Sequence, residues 1–180
     1  MRGQSVVEFS LIAPIMIILI FAILDLARVY TTMMSVESAA REAADFGTTL
    51  GAERWSATNT AATVAEMKRR ACIAASDLPD YAGVDADNNG VDEDCTNPTF
   101  DWCLTKASGG PCTQDPVTCE DPLRDPPCTV TVRMGHVFHL FVPFRINFFG
   151  VDLGLPVTLS FDRDSTFAMT DIGVAATPTP

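Results

Sequence analysis

Arg2-Gly3-Gln4-Ser5-Val6-Val7-Glu8-Phe9-Ser10-Leu11-Ile12-Ala13-Pro14-Ile15-Met16-Ile17-Ile18-Leu19-Ile20-Phe21-Ala22-Ile23-Leu24 is the stretch that decides how this chain is built. Residues 6–24 are 19 positions interrupted only by Glu8 and Ser10. A helix of that length rises about 28 Å, close to the thickness of a bilayer's hydrocarbon core. One membrane pass is the reading. A carboxylate at the lip of such a span is costly unless it is paired, so Glu8 reads as a functional residue. Pro14 removes a backbone hydrogen bond and is expected to kink or loosen the helix; the plain alternative is a proline tolerated in a membrane segment. Arg2 precedes the run, and Arg28 follows it with Asp25 three positions earlier. That small bias favours the amino end inside and the remainder outside.

Outside the apolar run, roughly 150 of the 180 residues remain, which fits one compact domain, and helical patterns followed by strand patterns give it an α+β class. The formal net charge of −11 excludes nucleic acid as an expected partner, because phosphate binding needs a basic surface. Acidity is concentrated: from Asp77 to Asp125 there are twelve Asp or Glu against Lys106 and Arg124. The same stretch carries five of the six cysteines, Cys95, Cys103, Cys112, Cys119 and Cys128, with Cys72 just ahead of it. No Cys-x-x-Cys occurs, so disulfides in an oxidising compartment are expected rather than a zinc knuckle or redox dithiol. Buried free thiols are the alternative. Sequence does not choose among the possible pairings.

Gly3 lies five residues before Glu8, directly ahead of the span, a spacing that resembles a prepilin cut after the glycine by a prepilin peptidase. Gln4 would then be the first mature residue, and its new amine would be a partner for Glu8 on the same or a neighbouring subunit. That pairing would set axial register as helices stack, as buried polar groups do in other helical packings. A cleaved secretory signal would need a shorter apolar core and a small-x-small site after it, which Leu24-Asp25-Leu26-Ala27-Arg28 does not offer. An ordinary signal anchor explains the length but neither Gly3 nor Glu8.

The helical pattern continues past the span. Leu26, Val29, Met33, Val36, Ala40, Ala43, Gly47 and Leu50 recur at spacings of 3 and 4, forming an apolar stripe. Its small residues admit close approach, either by the chain's own domain or by another subunit. At this point the residues resemble the TadE-like proteins, pilin-like components of tight-adherence (Flp-type) pilus systems. The resemblance is carried by residues 2–9, Pro14, Asp25-Leu26-Ala27-Arg28 and Ser38-Ala39-Ala40-Arg41-Glu42-Ala43-Ala44, and it covers about the first 50 residues.

The resemblance implies a non-catalytic minor pilin or pseudopilin held in the inner (cytoplasmic) membrane, with its amino terminus cytoplasmic. It implies cleavage at Gly3, an assembly role for Glu8 followed by Phe9, and a polar pair of Asp25 with Arg28 at the outer membrane face. The family more often has Glu where Asp25 stands; Asp still reaches Arg28 at i+3. Implied partners are the membrane, a prepilin peptidase, other pilin-like subunits and the inner-membrane assembly platform, with no small-molecule substrate. Residues 1–3 would be the leader, 4–25 the membrane half of a long helix, 26–173 the extracytoplasmic pilin-like domain and 174–180 a disordered tail. The acidic, cysteine-rich insertion at 77–128 is not part of the family pattern.

Within the domain, residues 61–75 read as a second amphipathic helix presenting Ala61, Val64, Met67, Ala71 and Ala74, capped by Thr58 or Asn59 and ended by Leu78-Pro79-Asp80. Beyond Cys128, alternation at Val130, Val132 and Met134, then apolar runs at 137–144, 146–149 and 157–161, predict three or four strands of a small antiparallel sheet. Asp85-Ala86-Asp87-Asn88-Asn89-Gly90-Val91-Asp92-Glu93-Asp94-Cys95 has the alternating oxygen ligands and turn glycine that calcium requires. Asp85, Asp87, Asn89, the Val91 carbonyl and one or two of Asp92, Glu93 and Asp94 would supply the ligands; a solvated acidic turn is the alternative. Thr96 at the twelfth position departs from an EF-hand. His136 and His139 are the only histidines. Their odd spacing on a strand puts them on opposite faces, so no catalytic dyad is expected. The competing function is a single-pass anchored, calcium-binding or adhesive surface protein that never polymerises.

Overall fold

The computed structural model describes residues 4–49, 55–85, 94–115, 119, 128–140, 145–148, 151–154 and 157–169. A helix α1 (Gln4–Thr48) runs through Pro14 for 45 residues and is followed by α2 (Thr60–Ala74). At 1.5 Å per residue α1 is about 68 Å long, more than twice a bilayer core. It has two surfaces. From Val6 to Leu24 its large apolar side chains are exposed, and from Asp25 onward one side is covered. Asp25, Val29, Thr32, Val36, Ala39, Ala40, Ala43, Ala44 and Gly47 face inward at spacings of 3 and 4. The covering elements are the chain's own, which settles what the stripe packs against.

Two positions of the expected stripe differ. Leu26 is 70 % exposed, and Asp25 beside it takes the inward place; Met33 is half-buried, and Leu50 lies outside the described residues. The reason is phase: the buried line starts at Asp25 and returns at Val29 and Thr32, and Leu26, one residue on from Asp25, is turned about 100° away from it. Small residues are required at the far end because neighbours come close. A Cβ on Gly47 would lie 2.9 Å from Met67 Sδ and 3.2 Å from Val130 Cγ1.

The sheet that covers α1 has three antiparallel strands in the order β3 (Thr99–Thr105), β4 (Thr129–His139) and β7 (Thr158–Ala168). β4 is central and buries Val130, Val132, Met134, His136 and Phe138 on one face, the alternation expected when one face meets a helix and the other meets water. The two stretches read separately at 130–134 and from 137 onward are one strand here. β7 runs further than its apolar run because residues 162–168 alternate polar side chains on the open face. The acidic, cysteine-rich region is more structured than its composition suggests: β3 is an edge strand of the main sheet. A short pair, β1 (Ala82–Val84) with β2 (Asp94–Asn97), also belongs to that region. A separate ribbon joins β5 (Arg145–Phe148) to β6 (Val151–Gly154).

α2 forms as predicted, with Asn59 at its N-cap position, but its buried line is Thr63, Met67, Ala71 and Cys72. Ala61 and Ala74 are exposed, so the inward face is rotated by about one residue. All six cysteines pair, as Cys72–Cys95, Cys103–Cys112 and Cys119–Cys128. The first ties α2 to β2; the others close short loops. Each bridge stabilises by roughly 3 kcal/mol through loss of unfolded-state freedom. Trp55 locks the top of the core: it is fully buried, its Nε1 donates to the Gly47 carbonyl at 2.9 Å, and its ring stacks on Trp102 at 5.0 Å. Trp55→Phe keeps most of the stacking surface but leaves a buried helix-end carbonyl without its donor. It should cost about 1–3 kcal/mol in denaturant unfolding of the detergent-solubilised chain.

Candidate membrane anchor and its polar residues

Apolar side chains stand on every side of α1 through the span, a surface that only lipid or another apolar helix can cover. By length and composition this helix can cross a membrane. Its polar groups are few. The Ser10 hydroxyl donates to the Val7 carbonyl at 2.8 Å, so it adds no unmet donor to the span. Glu8 and Phe9 are exposed on the helix surface, one position apart, and Pro14 is exposed too. Gln4 is helical, while Gly3 lies outside the described residues.

Asp25 and Arg28 mark the change of environment. Asp25 is 5 % exposed, with its Oδ1 3.5 Å from Arg28 Nη1. The Arg28 guanidinium lies 5.0 Å from the centroid of the Phe138 ring, a cation–π contact that joins the top of the span to the end of β4. A buried carboxylate is tolerable only with a cation close by, which accounts for the pair. The buried Thr32 hydroxyl is likewise satisfied, donating to the Arg28 carbonyl at 2.8 Å. A cleft of about 590 Å³ opens beside Phe21, Leu24, Asp25, Ala27, Arg28 and Thr31 at this junction. Phe138 was not singled out from the sequence. Its signal was the inward phase of β4, which reaches it in steps of two from Val130.

Residues 3–45 match the TadE-like protein family. The match spans the expected cleavage glycine, the membrane-length segment and most of the packed half of α1, and it stops before α2 and the sheet. No curated protein and no solved structure matches the chain. The TadE-like segment thus carries Glu8, Asp25 and Arg28, while α2, β4 and β7, which pack on α1, lie outside it.

Of the expected calcium ligands, Asp87, Asn89, Val91, Asp92 and Glu93 lie outside the described residues. Asp85 follows β1 and Asp94 opens β2, and Val84 is paired with Asp94, so the two ends of the stretch are neighbours. The Asp94 carboxylate is held by Lys68 Nζ of α2 at 2.5 Å, and that contact, ahead of a bond from the Cys95 amide, draws its pKa down. Among the described residues no group of three His, Cys, Asp or Glu is placed to hold a metal.

His136 and His139 fall on opposite faces of β4, as their spacing predicts: His136 is 1 % exposed and His139 is outside. Both nevertheless meet the turn after α2. His136 Nε2 donates to the Pro79 carbonyl at 2.9 Å, since a carbonyl can only accept, and its buried Nδ1 has no partner among the described residues. The His139 amide donates to Asp80 Oδ2 at 2.8 Å, and its Nδ1 lies 3.2 Å away. Asp80 has a φ of 62°, a left-handed conformation that Asp tolerates. Asn97 completes the latch, donating to the Asp80 carbonyl at 2.6 Å and the Val137 carbonyl at 3.0 Å.

Burial pushes the His136 pKa below its ordinary value, outweighing the Pro79 bond and the Asp80 charge. The Asp80 pKa is also lowered, chiefly by the His139 amide. The unfolded chain therefore binds a proton at His136 that the native chain does not. Stability should be complete above about pH 6.5 and fall as pH drops below it, with a second loss from Asp80 below about pH 4. In urea titrations across pH, His136→Phe should abolish the upper slope and keep the lower one.

Proposed function

We propose that this chain is a minor pilin or pseudopilin of a tight-adherence type pilus. It would be cut after Gly3, held in the inner membrane by α1 with its domain outside, and recruited through that helix. The observation that carries the reading is the TadE-like match laid over an exposed apolar helix whose one carboxylate in the span, Glu8, is four residues after Gln4. A liberated Gln4 amine supplies the positive charge that an intramembrane carboxylate needs. The packed domain supports the same division of labour, because it covers one side of α1 only beyond Asp25 and leaves the span open to other helices.

Sequencing the amino terminus of the native protein should find a chain that starts at Gln4. Glu8→Ala should still insert but be lost from assembled pili, with piliation reduced. An intact leader, or normal piliation by the mutant, would instead favour a stable surface anchor that never polymerises.

Calcium at the acidic loop is a second, independent proposal, supported by the ligand spacing from Asp85 to Glu93 and by the paired strands at its ends. Lys68 already engages Asp94, so the ligands would come from the earlier acids. Calorimetric titration of the solubilised chain should show calcium-dependent heat and a rise in melting temperature. Silence at millimolar calcium would retire the site.

A further inference from the structure

β7 is an edge strand, and among the described residues no strand pairs with its outer side. Two bonds fix which of its backbone groups point that way. The Leu140 amide donates to the Val157 carbonyl at 3.1 Å at one end of the ladder with β4, and the Met169 amide donates to the Cys128 carbonyl at 2.8 Å at the other. In an antiparallel ladder, residue pairs that exchange hydrogen bonds alternate with pairs that do not. With Thr129 opposite Ala168 and His139 opposite Thr158, the odd-numbered residues of β7 therefore bond to β4, and Thr158, Ser160, Asp162, Asp164, Thr166 and Ala168 turn their amides and carbonyls outward. The other edge of the sheet differs: Leu104 of β3 already exchanges two backbone bonds with Thr113.

The side chains give this flank two halves. On the open face of the sheet Asp162 and Asp164 are exposed, Asp164 with Arg133 Nε at 3.4 Å and Asp162 with no ion pair among the described residues. On the other face Arg163 reaches α1, its Nη2 3.8 Å from Met33 Sδ. Beside Met33 the helix exposes Leu26, Tyr30 and Met34, four residues apart, by 70 %, 64 % and 52 %. Met34 stands about 15 Å along the axis beyond Leu24, clear of the hydrocarbon core, so acyl chains do not cover it. A cleft of about 380 Å³ lined by Glu37, Asp162, Arg163 and Asp164 opens at the middle of the edge, where the two halves meet.

A second copy of the chain is a poor occupant. Antiparallel pairing of two such edges in the registers of greatest overlap sets Asp162 or Asp164 opposite itself or opposite the other, and like charges directly opposite destabilise a ladder. The net charge of −11 on each copy adds to the repulsion. The same carboxylates select a basic strand. Laid about 4.8 Å beyond β7, such a strand meets the outward amides and carbonyls with its own and alternates its side chains. Its basic residues then lie over Asp162 and Asp164, and the apolar residues between them turn toward Tyr30 and Met34.

We propose that the free edge of β7 docks an extended segment of a different protein chain, which joins the sheet with Lys or Arg against Asp162 and Asp164 and apolar side chains against Tyr30 and Met34. This surface belongs to the domain and not to the span, so it stands or falls separately from the pilin reading.

The probe is a displayed library of random linear peptides, about nine residues long, selected on the full-length detergent-solubilised chain and counter-selected on the double variant Asp162→Lys, Asp164→Lys. Selected peptides should carry Lys or Arg at alternate positions between apolar residues, and the variant should bind them about tenfold or more weakly. In hydrogen exchange, the Asp162 and Asp164 amides should exchange freely in the chain alone and slow when a selected peptide is added, while the Arg163 amide, bonded to β4, stays protected throughout. Asp162→Asn with Asp164→Asn gives the same comparison should the reversed variant misfold. Slow exchange of both amides in the peptide-free chain overturns the proposal, because the edge is then already covered. So does a selection that yields no peptide telling the wild type from the variant, and so does binding that leaves the two amides exchanging freely.

Discussion

The structure depends on one helix that must satisfy two solvents. Through residue 24, α1 presents apolar side chains all round, and from residue 25 it presents a narrow line of small residues to its own domain. The hydrogen-bonded backbone is the same in both halves, so the difference lies entirely in side chains. Large aliphatic groups maximise contact with lipid, while Ala39, Ala40, Ala43, Ala44 and Gly47 let a sheet and a second helix approach to van der Waals distance. Asp25 and Arg28 stand at the boundary, where a charge pair is affordable because one partner is covered by protein and the other reaches outward.

Much of this was legible in the residues because periodicity reports strongly on long helices and on central strands. The span, the existence of α2 and the inward positions Val130, Val132 and Met134 of β4 followed from spacing alone. What failed was phase and edge. Leu26 and Asp25 are one residue apart, and apolarity pointed to Leu26; the covered face is decided by where the sheet lies, which no local pattern contains. β3 and the far half of β7 were missed because edge strands with an open polar face lose the hydrophobic alternation that betrays a central strand. The latch of Asp80, Asn97, His136 and His139 joins residues up to 59 positions apart in sequence and had no local signature beyond the alternation of the histidines.

Of the candidate site, the Asp25–Arg28 pair was legible because charge is rare beside an apolar run and the two stand three residues apart on a helix. The cation–π partner of Arg28 was not, since it comes from a strand more than a hundred residues later. Disulfide pairing was equally beyond reach from spacing: two bridges are local, but the third crosses from α2 to β2.

The placement of the bridges has a mechanical consequence. α1 contains no cysteine, so none of the three covalent ties reaches it. Any pull along the anchor is transmitted to the globular part by shear across the alanine face and by the Trp55 and Arg28 contacts at its two ends. The oxidised loops stiffen what the helix carries, while the joint along the helix itself rests on close fit, the Trp55 and Arg28 contacts and the Arg70–Glu42 ion pair, with no disulfide across it.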